Sequence, residues 1–282
     1  MPVERGARPD ALRVATTLLV LAALVSCASC ASGGDDPAPD RPDAAKAVRL
    51  PPVHAGFDYQ IGGAYPPPKG VRVVARDRAA KPARGLYNIC YVNAFQAQPE
   101  ERDVWPADLL LRDGGGKAVI DRDWNEPLLD IRTPAKRERV AARVNRWIDG
   151  CADKGFDAVE PDNYDSYTRS HRLLDADDAT AFIRLLSDHA HARGLAIAQK
   201  NTVELAPRRE DAGLDFAVAE ECGAYDECGA YAKAFDDRVV VVEYTDSGLD
   251  KARSGFGDRL SIVRRDVLVS TPDSADYVRE TR

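Results

Sequence analysis

Acidic, basic and amide side chains recur directly after short apolar runs in the second half of this chain: Pro161-Asp162-Asn163, Lys200-Asn201, Glu220-Glu221 and Glu243-Tyr244. Splitting a glycosidic bond takes two carboxyl groups across the scissile oxygen, one protonated and one ionised. Asp162, Asp165, Glu220, Glu221 and Glu243 are acids placed for such work, and Asp58, Asp121 and Asp123 are further ones. Crowding carboxyl groups raises some of their pKa values, which a general acid requires. Any one of these acids alone is more simply a solvated loop or helix-capping carboxylate. Their repetition at successive strand ends is what points to a site. Glu243 is either a third working carboxylate or an orienting group beside Tyr244. Lys200 and Asn201 suit hydroxyl recognition, and Lys200 can also hold a carboxylate ionised or close a salt bridge. Asp58 and Gln60 on the first apolar run, Tyr91 and Asn93 on the third, and Asn163, Asp165 and Tyr244 are candidate sugar contacts. Trp124 stacks on a sugar face or simply packs.

Eight apolar runs carry these groups: 57–62, 71–76, 85–93, 156–160, 196–199, 216–219, 239–242 and 260–263. Amphipathic helices alternate with the later ones, a pattern that predicts a parallel sheet. The clearest spans 133–153, with Thr133 to cap it, Pro134 in its first turn and Gly155 to stop it. A second spans 177–193 and ends at Gly194. Eight strands suit a closed (β/α)8 barrel, whose C-terminal strand ends converge on one mouth. A doubly wound open sheet would normally show a glycine-rich phosphate loop after its first strand. Here Ile61-Gly62-Gly63 runs instead into Pro66-Pro67-Pro68, which cannot open a helix.

The N-terminus is not part of this fold. Arg5, Arg8 and Arg13 precede an apolar run from Val14 to Val25, and Leu24-Val25-Ser26-Cys27 follows the pattern of a bacterial lipobox. Residues 1–26 are thus expected to be a signal peptide and Cys27 the lipidated residue, with residues 27–47 a flexible tether too poor in apolar side chains to fold. The barrel is expected over 48–282, exported and held at the bacterial surface by the lipid. The formal charge is −7 and becomes one unit more negative without residues 1–26. That disfavours nucleic acid and suits a cationic or neutral partner. Of six cysteines, Cys27 and Cys30 lie in the export region, and the other four, Cys90, Cys151, Cys222 and Cys228, allow three disulfide connectivities. Proximity favours Cys222–Cys228, which leaves Cys90–Cys151. With no CxxC pair among these four and four scattered histidines, neither a metal site nor a cofactor is expected.

The segment 155–163, GFDAVEPDN, with Asp165-Ser166-Tyr167, resembles the signature of glycoside hydrolase family 114, the endo-α-1,4-polygalactosaminidases. The resemblance continues in order through FDYQIG (57–62), CYVN (90–93), WNEPLLDIR (124–132), HARGL (191–195), Lys200-Asn201, FAVAEEC (216–222) with YDEC (225–228), and VEY (242–244), and so covers nearly all of 57–245. It implies a (β/α)8 barrel acting on a cationic polymer of α-1,4-linked galactosamine, with Asp162 and Glu220 as the catalytic pair, no cofactor and a monomeric chain. The chain departs from the family around 219–223. Ala219 and Glu221 stand where Asn and Gln are usual, and Gly223 replaces an aromatic residue. A glycosidase of different specificity, and a surface lipoprotein that binds polysaccharide without cutting it, fit the same residues.

Overall fold

The computed structural model describes residues 47–281. The signal segment, the lipobox Cys27 and almost all of the tether lie outside the described residues. Eight strands form one parallel array: β1 (Gly56–Gln60), β2 (Val71–Asp77), β3 (Tyr87–Asn93), β6 (Ala158–Asp162), β7 (Ala196–Lys200), β8 (Phe216–Glu220), β9 (Val239–Glu243) and β10 (Ser261–Arg265). A small hairpin, β4 (Ile120–Asp121) with β5 (Glu126–Pro127), rises from the long connection after β3. The last short strand, β11 (Arg279–Glu280), runs antiparallel to β10.

The array curls until β10 meets β1. There the Ala55 N–H donates to Ser261 Oγ at 2.8 Å, and Arg279 donates to the Phe57 carbonyl at 3.1 Å. This is the (β/α)8-type barrel expected from the sequence, with its C-terminal segment closing the seam. The closure divides the apolar residues into two sets, because side chains along a strand alternate in direction. Phe57, Tyr59, Val73, Ala75, Ile89, Ala158, Ala198, Val218, Val242 and Val263 fill the interior. Cys90, Val92, Val159, Ile197, Ala217, Val241 and Ile262 face outward under the helices. Burying each such aliphatic chain contributes roughly 1.5–3 kcal/mol.

The helices are α1 (Pro134–Lys154), α2 (Ala176–Ala192), the single turn α3 (Arg209–Ala212), α4 (Cys228–Ala234) and α5 (Asp246–Phe256). Thr133 Oγ1 caps α1 and Gly155 ends it with a φ of 88°. The buried face of α1 is Val140, Ala141, Val144, Ile148 and Cys151, at helical spacing. Asp175 and Asp178 form a capping box at the start of α2. Cys151 is joined to Cys90, which pins α1 to β3, and Cys222 is joined to Cys228 across the turn before α4. Cys222–Cys228 is the pairing favoured by proximity, and Cys90–Cys151 the one it leaves. Two disulfides are the mark of an oxidising compartment. No helix among the described residues is long and apolar enough to cross a membrane.

The first two crossovers depart from the regular pattern, since no helix follows β1 or β2. A buried polar network covers the outside of β1 instead. Asp58 receives the Gln60 amide at 2.8 Å, the Tyr65 hydroxyl at 3.1 Å and Arg279 at 3.0 Å. Gln60 in turn accepts from Arg76 Nε at 2.9 Å. Asp58 and Gln60, expected as sugar contacts, are therefore structural. They sit on the outer face of β1, while the alternate residue Tyr59 points inward.

Candidate active site

The parity that fills the interior with Ala158, Ala198, Val218 and Val242 also sets its upper layer. Two residues further along each strand, the same face presents Glu160, then Asp162, on β6, Lys200 on β7, Glu220 on β8 and Tyr244 just past β9. Tyr59 of β1 and Tyr91 of β3 complete the ring. Lys200 Nζ lies at its centre, 3.0 Å from Glu160 Oε1, 3.0 Å from Asp162 Oδ1, 3.4 Å from Glu220 Oε2 and 3.1 Å from the Tyr59 hydroxyl. Each carboxylate also receives a phenol: Tyr59 donates to Glu160 at 2.7 Å, Tyr91 to Asp162 at 2.6 Å, and Tyr244 to Glu220. Asn201 binds Glu220 twice, its Nδ2 donating to Oε2 at 3.0 Å and its Oδ1 accepting from the Glu220 N–H at 2.8 Å.

Backbone strain gathers at the same strand ends. The residues that follow Asp162, Lys200 and Glu220 all have left-handed conformations: Asn163 at φ 66°, Asn201 at 49° and Glu221 at 57°. Asparagine tolerates this region, but for glutamate it is uncommon. Such outliers persist where surrounding structure over-determines them, and they cluster at functional sites.

One cation shared by Glu160 and Asp162 separates their protonation. Burial pushes Glu160 up to about 7, with Lys200 only partly opposing it. Burial also disfavours the Asp162 anion, yet Lys200 and the Tyr91 phenol overcome this and hold its pKa below the ordinary value. Lys200 is raised despite its own desolvation, because Asp162 and Glu220 favour the ammonium. The phenols of Tyr59, Tyr91 and Tyr244 are pushed well up by burial and by the adjacent carboxylates, so they stay donors.

This layer floors a cavity of about 350 Å³, whose lining includes Tyr91, Asp162, Asn163, Asp165, Lys200, Asn201, Glu220 and Tyr244. One wall comes from the β4–β5 excursion, with Asp121, Asp123, Trp124 and Glu126. Glu126 is pushed up to about 7, chiefly by burial, with Asp162 and Asp121 adding to the rise. Asn93 lies behind it, donating to Glu126 at 2.8 Å and accepting from Asn163 at 3.1 Å, so this predicted sugar contact braces the wall. Arg169 ties Asp165 and Asp121 together at 2.6 and 2.8 Å.

Two candidate acids stand elsewhere. Glu243 points to the outer side of β9, fully buried, where its Oε1 accepts the Gly223 N–H at 2.7 Å and orients the turn after β8. Glu221 borders a neighbouring groove. Cys222, Cys228 and Glu243 form the one cluster of metal-ligand spacing found among the described residues, but its sulfurs are joined to each other and supply no thiolate. Tyr59, Glu160, Glu126 and Arg169 were not anticipated as site residues. Glu160 was detectable, since it precedes Asp162 by two and must share its face.

A parallel barrel whose strand ends gather paired carboxylates around a buried ammonium holds the groups that glycoside hydrolysis requires. The chain belongs to glycoside-hydrolase family GH114, whose model matches residues 38–281. No curated protein sequence matches it at a significant level. Among solved structures it is similar to Aspergillus fumigatus Ega3 in complex with galactosamine, with 23% identity and a TM-score of 0.66, over 81% of this chain and 98% of that one. It is also similar to the glycoside hydrolase domain of PelA from Pseudomonas aeruginosa, with 16% identity and a TM-score of 0.50, over 79% of this chain and 96% of that one.

Proposed function

We propose that this protein cleaves an α-1,4-linked galactosamine polysaccharide by double displacement, with Asp162 as nucleophile and Glu220 as general acid and then base. The observation that carries this reading is the single Lys200 ammonium shared by both carboxylates. At 3.0 and 3.4 Å from one nitrogen, the two carboxylates share the cavity floor, where a pair acting on one glycosidic bond must stand.

The roles follow from environment and position. Asp162 is the group held ionised, and it lines only the 350 Å³ cavity. Glu220 lines both that cavity and the adjoining groove, where it reaches the oxygen between two sugars. Asp162 attacks the anomeric carbon while Glu220 gives its proton to the departing oxygen. Glu220 then takes a proton from water, which displaces Asp162 and restores both groups. Lys200 aligns the pair, with Tyr91 and Tyr244 fixing one carboxylate each. Asn163, Asp165 and Asn201 line the same cavity and serve as hydroxyl contacts.

The substrate class is supported by the galactosamine bound to the similar Ega3 and by charge. The cavity lining holds seven acids against Arg169 and Lys200, which draws in a polymer bearing ammonium groups. The two disulfides agree with export, and the proposal includes residues 1–26 as a signal and Cys27 as a lipid anchor ahead of a tethered, monomeric barrel. The test is reducing-end release from a galactosamine polymer by wild type, Asp162→Asn and Glu220→Gln. Cleavage by wild type, lost in both folded variants, is the expected result. Binding without cleavage by wild type replaces the enzyme with a polysaccharide-binding lipoprotein.

A further inference from the structure

Beside the catalytic cavity, and sharing Glu220, Tyr244, Asn201 and Trp124 with it, runs a second groove of about 710 Å³. Two large aromatic side chains line it without being buried: Trp124 is 53% exposed and Tyr225 is 66% exposed. Tyr225 is also held in place. It sits inside the loop closed by Cys222–Cys228, its N–H donates to the Glu221 carbonyl at 3.0 Å, and the Glu227 N–H donates to the Cys222 carbonyl at 2.7 Å. Glu243 fixes the Gly223 N–H from beneath, and Lys251 reaches the Ala224 carbonyl at 3.2 Å. An exposed ring carried on a braced loop costs little backbone ordering when something stacks on it.

The charge of this groove is one-sided. Asp165, Glu204, Glu220, Glu221 and Glu227 line it, and no Lys, Arg or His does among the described residues. Arg169 is turned to Asp165 and Asp121, while Lys251 faces Asp226 and the loop backbone. Burial and the neighbouring Glu204 already raise Glu227 above its ordinary value, so a bound cation would relieve the crowding.

We infer that this groove is the leaving-group subsite, that Tyr225 is its stacking platform, and that Glu221 and Glu227 select sugars with a free amine over N-acetylated ones. The assignment rests on the proposed cleavage reaction, which puts Glu220 between the two sugars. An aromatic face presents its π cloud both to the C–H face of a pyranose and to an ammonium. The groove is thus built for a 2-amino sugar with its charge uncapped.

The test uses the same galactosamine polymer before and after chemical N-acetylation, with wild type, Tyr225→Ala, Glu221→Gln and Glu227→Gln, each checked for folding by circular dichroism. Tyr225→Ala is expected to raise KM roughly tenfold on both polymers, as for the loss of an aromatic anchor, with the loss falling on KM and not on kcat. The glutamine variants are expected to narrow the KM preference for the free-amine polymer by about two- to fivefold each, the scale of an exposed charge pair. An unchanged KM in Tyr225→Ala, or an unchanged preference in both glutamine variants, overturns the assignment. If wild type cuts neither polymer, the leaving-group assignment falls with the catalytic reading, and retardation in gels cast with the polymer decides only whether Tyr225 is a stacking platform. Retardation weakened in Tyr225→Ala supports it, whereas equal or absent retardation removes it.

Discussion

Glu160 and Asp162 stand two residues apart on β6, and each holds a carboxylate oxygen 3.0 Å from the same Lys200 nitrogen. Sharing one cation, they titrate in opposite directions. The fully buried Glu160 rises to about 7, while Asp162, bound also by Tyr91 and open to the cavity, falls below its ordinary value.

A stability profile follows from these signs. A carboxyl raised from 4.5 to about 7 in the fold binds more protons folded than unfolded between those values. Its stabilisation is complete below the lower one and is lost as pH rises through the upper one. Asp162 acts oppositely, contributing above its ordinary value and losing that contribution as pH falls through its depressed one. Melting temperatures of wild type should therefore decline between about pH 4.5 and 7, with Glu126, raised likewise to about 7, contributing beside Glu160, and Glu160→Gln should make that decline shallower. Parallel curves for the two proteins would remove Glu160 as a source.

Replacing Lys200 separates catalysis from stability. Lys200→Met leaves Glu160 and Asp162 without their cation, so the acid limb of the kcat/KM profile should move to higher pH and activity should fall by roughly 10²–10³, the scale of one preorganised electrostatic contact. Stripping one partner from a buried pair typically costs about 3–5 kcal/mol. Lys200→Met/Glu160→Gln should recover much of that in denaturant titrations while activity stays low. Recovery of activity in the double variant would argue that Lys200 only offsets Glu160.

Asp58 belongs to the seam and not to the sugar site. Asp58→Ala leaves Arg279 and Tyr65 facing an empty buried place, so unfolding free energy should drop by about 3 kcal/mol. KM should change little in the protein that remains folded. A large rise in KM with unchanged stability would return Asp58 to the substrate.

Gly223 is dictated by its neighbours. A Cβ there would stand 2.6 Å from the Gly248 carbonyl oxygen and 2.7 Å from Ala252 Cβ. Gly223→Ala should therefore destabilise the protein by about 1–3 kcal/mol, and an aromatic residue by more. A melting temperature equal to wild type would mean that α5 can move aside.

Much of the site is legible in the chain because each strand ends where its polar residue begins. That rule alone singles out Asp162, Lys200, Asn201, Glu220 and Tyr244, and all five line one cavity. It misplaces Glu243, and Asp58 and Gln60 within β1 face outward likewise, since neighbouring side chains on a strand alternate and only one of each pair faces inward. Which one does so depends on how the barrel closes, and a shift of one residue exchanges the faces. Tyr59 was hidden for the same reason, inside a run that looks merely apolar, whereas the spacing of Glu160 to Asp162 placed it on the same face.

What the sequence by itself determined was local: strand and helix extents set by apolar periodicity, caps at Thr133 and Gly155, and the Cys222–Cys228 pairing favoured by a short loop. Tertiary structure decided whatever needed residues far apart in the chain. The seam depends on Arg279 meeting Phe57 and Asp58, and the opposed protonation of Glu160 and Asp162 depends on Lys200, forty residues after Glu160. Propensity and spacing act within a turn or a strand, whereas burial and charge proximity exist only once the barrel has closed.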